Sequence, residues 1–276
     1  MSQKSVRQIL DELGYSTTIN QSSVIFANAV DKIFNNLPIV LKEDIITEIK
    51  NQTSNKDHIF PYYSLTKKAI IKVFGEKVGD KILNEVAVEI SNKVDNIQFQ
   101  SIEESLEIIQ KEELAKVMKN LTGHEHFIYL WNSKKARNNL VAEFFKHTIA
   151  PKGLISEEPI EIENVSNVTY GQILLQKDQA IKKEETLINE THRKNKTNTP
   201  TRLSGTDCTQ WFNEGLTKEF IELEKKIDGF IQENNISCIC GYNINEMTDK
   251  EILRKTLRAH KYVILDEPYQ IFERQI

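Results

Sequence analysis

Cys240, Tyr242 and His260 are residue types that could act together chemically near the end of the chain. Cys240 and His260 could form a nucleophile and its base, but no orienting acid follows them in a recognisable sequence context. Cys240 also lies in an apolar run, where burial disfavours the reactive thiolate. The sequence therefore predicts no catalytic residue and no enzyme, and a thiol- and histidine-dependent enzyme stays as an alternative.

His124, Glu125 and His126 are three adjacent residues of metal-ligating types. On a strand the two histidines would share one face while Glu125 points away, and no second cluster along the chain supplies further ligands. The three cysteines could meet in space as a thiol site, but such cysteines more often act as small buried hydrophobes. The sequence predicts no metal and no cofactor.

Aromatic and polarisable residues gather at the ends of the predicted strands. They are His126, Tyr129, Trp131, Cys240, Tyr242, His260 and Tyr262. In open α/β sheets, ligands enter a crevice at the carboxyl ends of the strands. This set predicts a pocket for a small, weakly polar ligand, and the alternative is that the side chains only fill the core.

The loop after the first of these strands bears on nucleotide chemistry. It reads Asn132-Ser133-Lys134-Lys135-Ala136-Arg137 and has no glycine that would let the backbone wrap a phosphate. Neither the P-loop pattern nor the dinucleotide-binding glycine pattern occurs elsewhere in the sequence. Nucleotide hydrolysis is therefore not expected.

The length and the net charge of the chain limit its domain organisation and the classes of partner it can bind. The 276 residues suffice for two domains, and 36 basic against 40 acidic residues give a net charge of -4. This charge gives no general attraction for nucleic acid or anionic lipid, so neither nucleic acid nor a membrane is expected as a partner. Three cysteines do not make a disulfide framework, and no apolar stretch is long enough for a membrane helix. We expect a cytoplasmic protein.

The elements that must position these residues change character along the chain. Residues 1–95 have apolar residues at helical spacing throughout and predict an all-α bundle of short helices. Residues 96–122 predict a connecting helix, whose apolar seam leaves a homodimer as an alternative. Residues 123–276 alternate short apolar runs with amphipathic segments, which predicts an α/β domain with a largely parallel sheet.

Local patterns in the third segment predict its individual elements. Strands are predicted at residues 126–131, around 160–165, at 201–205, at 236–242 and, as the last strand, at 262–265. A single polar helix is predicted over residues 170–190, and Ser133 is predicted to cap the helix after the first strand.

Five short motifs follow one another in this segment. They are His126-Phe127-Ile128-Tyr129, Thr201-Arg202-Leu203-Ser204-Gly205 with Trp211 after it, Glu224, Cys240-Gly241-Tyr242-Asn243, and His260-Lys261-Tyr262-Val263-Ile264. With this order and spacing, residues 123–276 resemble the MEDS sensory domain, named after methanogens, methylotrophs and the dichloromethane-responsive regulator DcmR. Asn243 stands where that family has an acid, and Lys261 stands where it has a proline.

The resemblance carries expectations of its own. It implies a degenerate relative of the RecA and KaiC type of ATPase domain that has lost its phosphate loop. It implies the sensing of small, hydrocarbon-derived molecules without hydrolysis. It also adds Arg202 and Glu224 to the candidate ligand-binding residues.

Residues 20–92 show a second, looser pattern. A helix, Pro38, another helix, a turn at Tyr62-Tyr63-Ser64 and a helix ending at Phe74-Gly75 follow one another. This order resembles a small helical output domain of archaeal signalling proteins, the Nitrososphaera type.

Together these features predict a cytoplasmic signal-transduction protein. A helical output or adaptor domain would be joined by a helix to an α/β domain that binds a small ligand, and an unknown protein would act downstream. The alternative is a structural adaptor whose pocket is filled by Tyr129, Trp131 and Tyr242.

Overall fold

A computed structural model describes most of the chain. The described residues are 6–19, 21–35, 37–53, 62–92, 102–158, 160, 162–266 and 270–275. The chain divides into two compact units, Met1–Glu113 and Leu114–Ile276. Within these described ranges, none of the helices is both long enough and apolar enough to cross a membrane.

The first unit consists mainly of helices. Its elements are α1 (Val6–Glu12), β1 (Tyr15–Ile19), α2 (Gln21–Phe34), α3 (Ile39–Thr53), α4 (Tyr62–Phe74) and α5 (Glu76–Ser91), and α6 (Ile102–Lys119) contains the boundary between the units. Helices α2 to α5 share a core of buried apolar side chains that recur at helical spacing, among them Phe26, Val30, Ile70 and Val86. Residues 96–101, the start of the predicted connecting helix, lie outside the described part of the chain.

Two local predictions for the first unit are wrong. Tyr15–Ile19 is a strand where only helices were predicted. Gly14 adopts a positive φ of 79° after α1, and the β-branched residues that follow favour extended backbone. The turn predicted at Tyr62-Tyr63-Ser64 is instead the first turn of α4. The end of that helix at Phe74 and Gly75 is as predicted.

The second unit alternates strands and helices. Its elements are β2 (His126–Trp131), α7 (Lys134–Lys146), β3 (Lys152–Ser156), β4 (Val165–Thr169), α8 (Tyr170–Leu174), α9 (Ala180–Arg193), β5 (Thr201–Gly205), α10 (Thr209–Asn213), α11 (Thr217–Glu233), β6 (Ile236–Asn243), α12 (Lys250–Arg258), β7 (Tyr262–Leu265) and β8 (Gln270–Arg274). The predicted cap of α7 is confirmed, because the Ser133 hydroxyl accepts a hydrogen bond from the Ala136 N–H at 3.3 Å.

The strands of the second unit form a largely parallel sheet, as the sequence predicts. Their order is β8-β7-β2-β6-β5-β3-β4, and β8 runs antiparallel to β7. The central strands β2 and β6 are buried along nearly their whole length, as expected for parallel strands covered on both faces. Strand β2 lies between β6 and β7, and β6 lies between β2 and β5.

Register assigns the side chains of the central strands to two faces. His126 pairs with Cys238, Ile128 with Cys240 and Leu130 with Tyr242. Because paired residues point the same way and successive residues alternate, these six share one face. We call it the α11 face, because α11 covers it, and we call the opposite one the α7 face, because the side chain of its Arg202 bonds to Phe144 of α7.

The region between β2 and β5 departs most from the prediction. Strand β3 was not predicted, and the strand expected around residues 160–165 is Val165–Thr169, with residue 161 outside the described ranges. The single helix expected over 170–190 is broken into α8, a 3-10 turn and α9. The strand predicted at 262–265 is present as β7, but it is not the last strand, because β8 follows it.

Candidate functional site

The structure divides the eight predicted site residues between the two faces of the sheet. His126, Glu224, Cys240, Tyr242 and His260 come together on the α11 face. Tyr129 and Trp131 lie on the α7 face, because each is an odd number of positions after His126 on β2. Arg202 also lies there, because the residue of β6 with which it pairs is an odd number of positions from Cys240. Five of the eight residues therefore form one buried cluster, and the other three lie on the opposite face of the sheet.

Four different elements position this cluster. His126 is the first residue of β2, and Cys240 and Tyr242 lie two residues apart on β6, so they share a face. Glu224 lies in the middle of α11, and its side chain reaches down to the sheet. His260 follows α12 and precedes β7. Residues far apart in sequence thus meet because β2, β6 and β7 are neighbours in the sheet.

The reactive atoms of the cluster lie close together. Nε2 of His126 is 3.4 Å from Oε2 of Glu224 and 3.4 Å from Sγ of Cys240. Nε2 of His260 is also 3.4 Å from Oε2 of Glu224. One atom from each of these four residues lies within 4.8 Å of the others, and none of the four is more than 5% exposed.

Hydrogen bonds made by the second ring nitrogen, Nδ1, fix the orientation of both imidazole rings. Nδ1 of His126 lies 3.2 Å from Oδ1 of Asp228, one turn after Glu224 on α11, and Nδ1 of His260 lies 2.8 Å from the Thr256 carbonyl oxygen. The Thr256 carbonyl can only accept, so Nδ1 of His260 carries a proton and Nε2 is left to face Glu224. The Tyr242 hydroxyl donates to Oε1 of Glu224.

The cluster holds opposite charges at neutral pH. Burial lowers the pKa of His126, but the nearby carboxylates of Asp228 and Glu224 outweigh it and raise that pKa to about 10. Burial and the nearby His126 charge lower the pKa of His260 to about 4, so His260 is neutral. Burial raises the pKa of Glu224, but the histidines and the Tyr242 hydroxyl together bring it to about 2. We therefore assign an ionised pair, His126 and Glu224, beside a neutral His260.

The surroundings of Cys240 disfavour the thiolate form of its side chain. Hydrogen bonding with Cys208 and Cys238, together with burial, raises the pKa of Cys240 well above its ordinary value. Sγ of Cys238 lies 3.9 Å from Sγ of Cys240, so two thiols are neighbours on the same face. Two imidazoles, a thiol and a carboxylate are, however, ligand types that a divalent transition metal prefers.

The sequence argument about adjacent histidines is corrected by this geometry. His124 is not on a strand with His126, because it precedes β2 with a positive φ of 70°, and its Nδ1 lies 3.1 Å from the Ile231 carbonyl oxygen. The companions of His126 come instead from α11, β6 and the residue after α12. The reason given for expecting no metal, that no further ligands lie nearby in sequence, therefore does not hold in the fold.

The three predicted residues on the α7 face have structural partners. The Trp131 ring N–H donates to the Thr206 carbonyl oxygen at 2.8 Å, and the Arg137 guanidinium lies 4.9 Å from the Trp131 ring centre. Arg202 is buried and donates to the carbonyl oxygens of Phe144 and Met118. These bonds join the sheet to the segments that cover it.

The Tyr129 hydroxyl leads to a carboxylate that sequence reasoning missed. It donates to Oδ2 of Asp266 at 3.4 Å, and the backbone N–H groups of Asn132 and Ser133 donate to the same oxygen at 2.8 and 3.1 Å. The chain's own carboxylate thus lies at the N-terminus of α7, where helices commonly bind phosphate. This agrees with the absence of a glycine loop at Asn132 and Ser133.

Glu184 on α9 is a second buried carboxyl that the sequence did not single out. Burial raises its pKa to about 8, the negative charge of Glu224 adds to this, and the Trp211 ring N–H opposes it. A carboxyl whose pKa is higher in the folded state than the ordinary 4.5 stabilises the fold at low pH. That contribution is lost as the pH rises from about 4.5 to about 8.

Glu184→Gln should therefore become increasingly stabilising as the pH rises. We expect the free energy of unfolding of the variant, relative to the unchanged chain, to rise by about 2 kcal/mol or more between pH 5 and pH 8. Urea unfolding at both pH values measures it. Glu190→Gln on the same helix, at an exposed position, is the control and should show no such trend. A pH-independent difference for Glu184→Gln would mean that Glu184 is ionised in the folded protein.

Two solved structures are distant structural neighbours of this chain. No family model and no curated protein matches the sequence. A protein designated PH0250 from Pyrococcus horikoshii OT3 aligns with 55% of this chain and 86% of its own, at 9% identity and a TM-score of 0.40. The cytoplasmic domain of EssC aligns with 51% of this chain and with only 31% of its own, at 14% identity and a TM-score of 0.33.

Proposed function

We propose that this chain is a cytoplasmic signal-transduction protein that acts without catalysis. Its second unit binds a small ligand at the cluster of His126, Glu224, Cys240, Tyr242 and His260, and its first unit is the helical output domain. The MEDS-like motifs favour this role, since four of their five contribute a member of the cluster. The output partner is a protein, and no nucleic acid is required.

The observation that carries this proposal is the buried ion pair on the α11 face. His126 and Glu224 are at most 1% exposed, and burying two charges costs several kcal/mol that their attraction only partly repays. Apolar residues of similar size would hold α11 on the sheet at least as well. A cluster of this kind is therefore better explained by binding than by packing.

An enzyme receives less support from the same residues. A nucleophilic Cys240 would need a thiolate, and the surroundings of Cys240 raise the pKa of its thiol. His260 cannot readily take up a proton either, because burial and the His126 charge lower its pKa.

A structural adaptor is the second candidate, and one observation favours it. The aromatic side chains of Tyr129, Trp131 and Tyr242 are at most 2% exposed, and each donates a hydrogen bond to another group of the protein. That is the packing expected of a filled pocket. An adaptor of this kind would bind no small ligand, so a binding experiment separates the two candidates.

A thermal-shift screen of the full chain tests the proposal. The panel contains haloalkanes, alcohols, amines and divalent metal ions, and a ligand at 100 times its dissociation constant should add about 2.7 kcal/mol of stability. Limited proteolysis with and without each stabilising compound should show altered cleavage in residues 1–113 if the first unit receives the signal.

A matched pair of variants locates the site. Tyr242→Phe and Tyr129→Phe each remove one buried hydroxyl that donates to a carboxylate, on opposite faces of the sheet. Both should lose about 1 kcal/mol of stability. Only Tyr242→Phe should reduce the stabilisation by a ligand found in the screen, because Tyr242 belongs to the cluster and Tyr129 does not. No stabilising compound in the panel, or equal effects of the two changes, would contradict a sensory site on the α11 face.

A further inference from the structure

The cluster on the α11 face has the composition of a transition-metal site. His126 and His260 offer imidazole nitrogens, Cys240 offers a sulfur, and Glu224 offers a carboxylate oxygen. Zinc is bound by these atom types with four ligands in a tetrahedron, at about 2.0–2.3 Å. The combination of a thiol with two imidazoles is softer than the oxygen-rich sites that calcium and magnesium require.

The distances between the ligand atoms fit one ion. Four atoms placed at tetrahedral corners with bonds of about 2.0–2.3 Å lie about 3.3–3.8 Å apart. Three distances in the cluster are 3.4 Å: Nε2 of His126 to Oε2 of Glu224, Nε2 of His126 to Sγ of Cys240, and Nε2 of His260 to Oε2 of Glu224. All four atoms lie within 4.8 Å of one another, so small side-chain movements would complete the tetrahedron.

Outer hydrogen bonds already aim the ligand atoms inward. Asp228 holds Nδ1 of His126, and the Thr256 carbonyl holds Nδ1 of His260. Metal-binding histidines almost always have their second ring nitrogen held by a carboxylate or a backbone carbonyl in this way. Tyr242 likewise holds Oε1 of Glu224, which leaves Oε2 as the inward oxygen.

Glu224 supplies an independent observation that points to an ion. Its Oε2 atom is fully buried and, among the described residues, receives no well-directed hydrogen bond, although Nε2 of each histidine lies 3.4 Å away. Buried carboxylate oxygens are rarely left in that state unless they serve a function or meet an ion.

We infer that His126, Glu224, Cys240 and His260 bind one divalent transition-metal ion of the zinc class, and that the ion displaces one proton from Nε2 of His126 and one from the Cys240 thiol. This inference rests on the proposed sensory function, because it names the ligand of the same cluster. An ion fits better than an organic molecule, since the four residues are buried and already in mutual contact. Four protein ligands leave no open position for a reactive water, which suits a sensing or structural site rather than a hydrolytic one.

Asp228 links the cluster to solvent. Its side chain is 37% exposed while its Oδ1 atom contacts His126, so it marks the side from which an ion can enter. Asp228 is a positioning residue and does not contact the ion. Its replacement by Asn should weaken metal binding about 10- to 100-fold, the usual effect of losing an outer partner of a ligating histidine.

Titration of the full chain, freed of metal by a chelator, tests the inference. Zinc binding is measured against a competing chelating dye, and cobalt serves as a spectroscopic substitute. We expect one equivalent to bind, with the visible bands of tetrahedral cobalt and a charge-transfer band from thiolate to cobalt. Cys240→Ser should abolish that charge-transfer band and weaken zinc binding at least about 100-fold, more than loss of an outer partner.

Cys238→Ser is the matched control. Cys238 is buried on the same strand and face, and its sulfur lies 3.9 Å from that of Cys240, but it is not one of the four ligands. It should keep both the band and the affinity. No zinc binding, a cobalt spectrum without a thiolate band, or equal losses in the two serine variants would overturn the metal site, and Asp228→Asn tests it again without touching a ligand.

The two proposals fail in different ways. If an organic compound stabilises the chain and zinc does not bind, the metal inference is wrong and the sensory proposal stands. If zinc binds with these ligands but neither zinc nor any other compound alters the cleavage of residues 1–113, the metal site stands and the sensory proposal is wrong.

Discussion

Glu224→Ala should lower the free energy of unfolding of the metal-free chain by about 3–5 kcal/mol, the usual cost of breaking a buried ion pair from one side. The carboxylate is 1% exposed, accepts a hydrogen bond from the Tyr242 hydroxyl, and lies 3.4 Å from Nε2 of His126. Its removal leaves the positive charge of His126 in the interior with only Asp228 to balance it. Urea unfolding in the presence of a chelator measures the loss.

Two further variants separate charge from packing at this position. Glu222→Ala lies on the same helix at an exposed position and should change stability by no more than about 0.5 kcal/mol. Glu224→Gln keeps a hydrogen-bond acceptor for Tyr242 but removes the charge, so its loss should fall between the other two. If Glu224→Ala costs less than about 1 kcal/mol, the charged pair that we assign to His126 and Glu224 is not present in the folded protein.

The alternation of side chains between the two faces of a strand explains which part of the candidate site could be predicted. Cys240 and Tyr242 are two residues apart on one strand, so their shared face follows from the sequence alone. His126 lies three positions before Tyr129 and five before Trp131, and odd spacings place side chains on opposite faces. The separation of Tyr129 and Trp131 from His126 was therefore predictable, once residues 126–131 were recognised as a strand.

The rest of the cluster depends on strand order, which local patterns do not encode. His126, Cys240 and His260 meet because β2 lies between β6 and β7. Glu224 joins them because α11 crosses that face, and Asp228 follows it by one helical turn. Asp228 could have been found from this spacing after Glu224 was chosen, whereas Asp266 and Glu184 had no local signal.

Most of the predicted strands share a simple property. Residues 126–131, 236–242 and 262–265 are mainly apolar runs, and all three are strands in the structure. Residues 201–205 are mainly polar, and their strand was predicted from the glycine that ends it. Strand β3 carries Lys152 and Gly153 at its start and has only two consecutive apolar residues. This apolar run is too short to be recognised as a strand from the sequence. The Gly153 position shows why a glycine is used there: an added Cβ would lie 3.0 Å from the Leu203 side chain on the neighbouring strand.

Gly241→Ala should lower the free energy of unfolding by about 3 kcal/mol or more, at or beyond the upper end of the range for overpacked cores. Gly241 lies between Cys240 and Tyr242, where the neighbouring backbone comes close. An added Cβ would lie 2.6 Å from the Thr206 carbonyl oxygen and 3.0 Å from that of Gly205, distances that real Cβ atoms rarely show.

The Thr206 segment cannot easily move away from such a Cβ. Its carbonyl oxygen accepts from the Trp131 ring N–H at 2.8 Å, and its N–H donates to the Ile155 carbonyl oxygen at 2.9 Å. The Cys208 N–H donates to the Gly241 carbonyl oxygen at 2.7 Å, which holds the two segments together. Relief of the clash would therefore break hydrogen bonds to three strands, and thermal and urea unfolding should both show a large loss.

Gly229→Ala is the matched control for this change. Gly229 lies in α11, is exposed, and has no atom within 4 Å of an added Cβ. Alanine there should raise stability by about 0.5–1 kcal/mol, because glycine is a poor residue inside a helix. Equal stability of the two alanine variants would mean that the loop after β5 can move away from the added Cβ at Gly241.

The close approach at Gly241 fixes the backbone between Cys240 and Tyr242. A folded Gly241→Ala protein should therefore also bind zinc more weakly, as measured by the same dye competition.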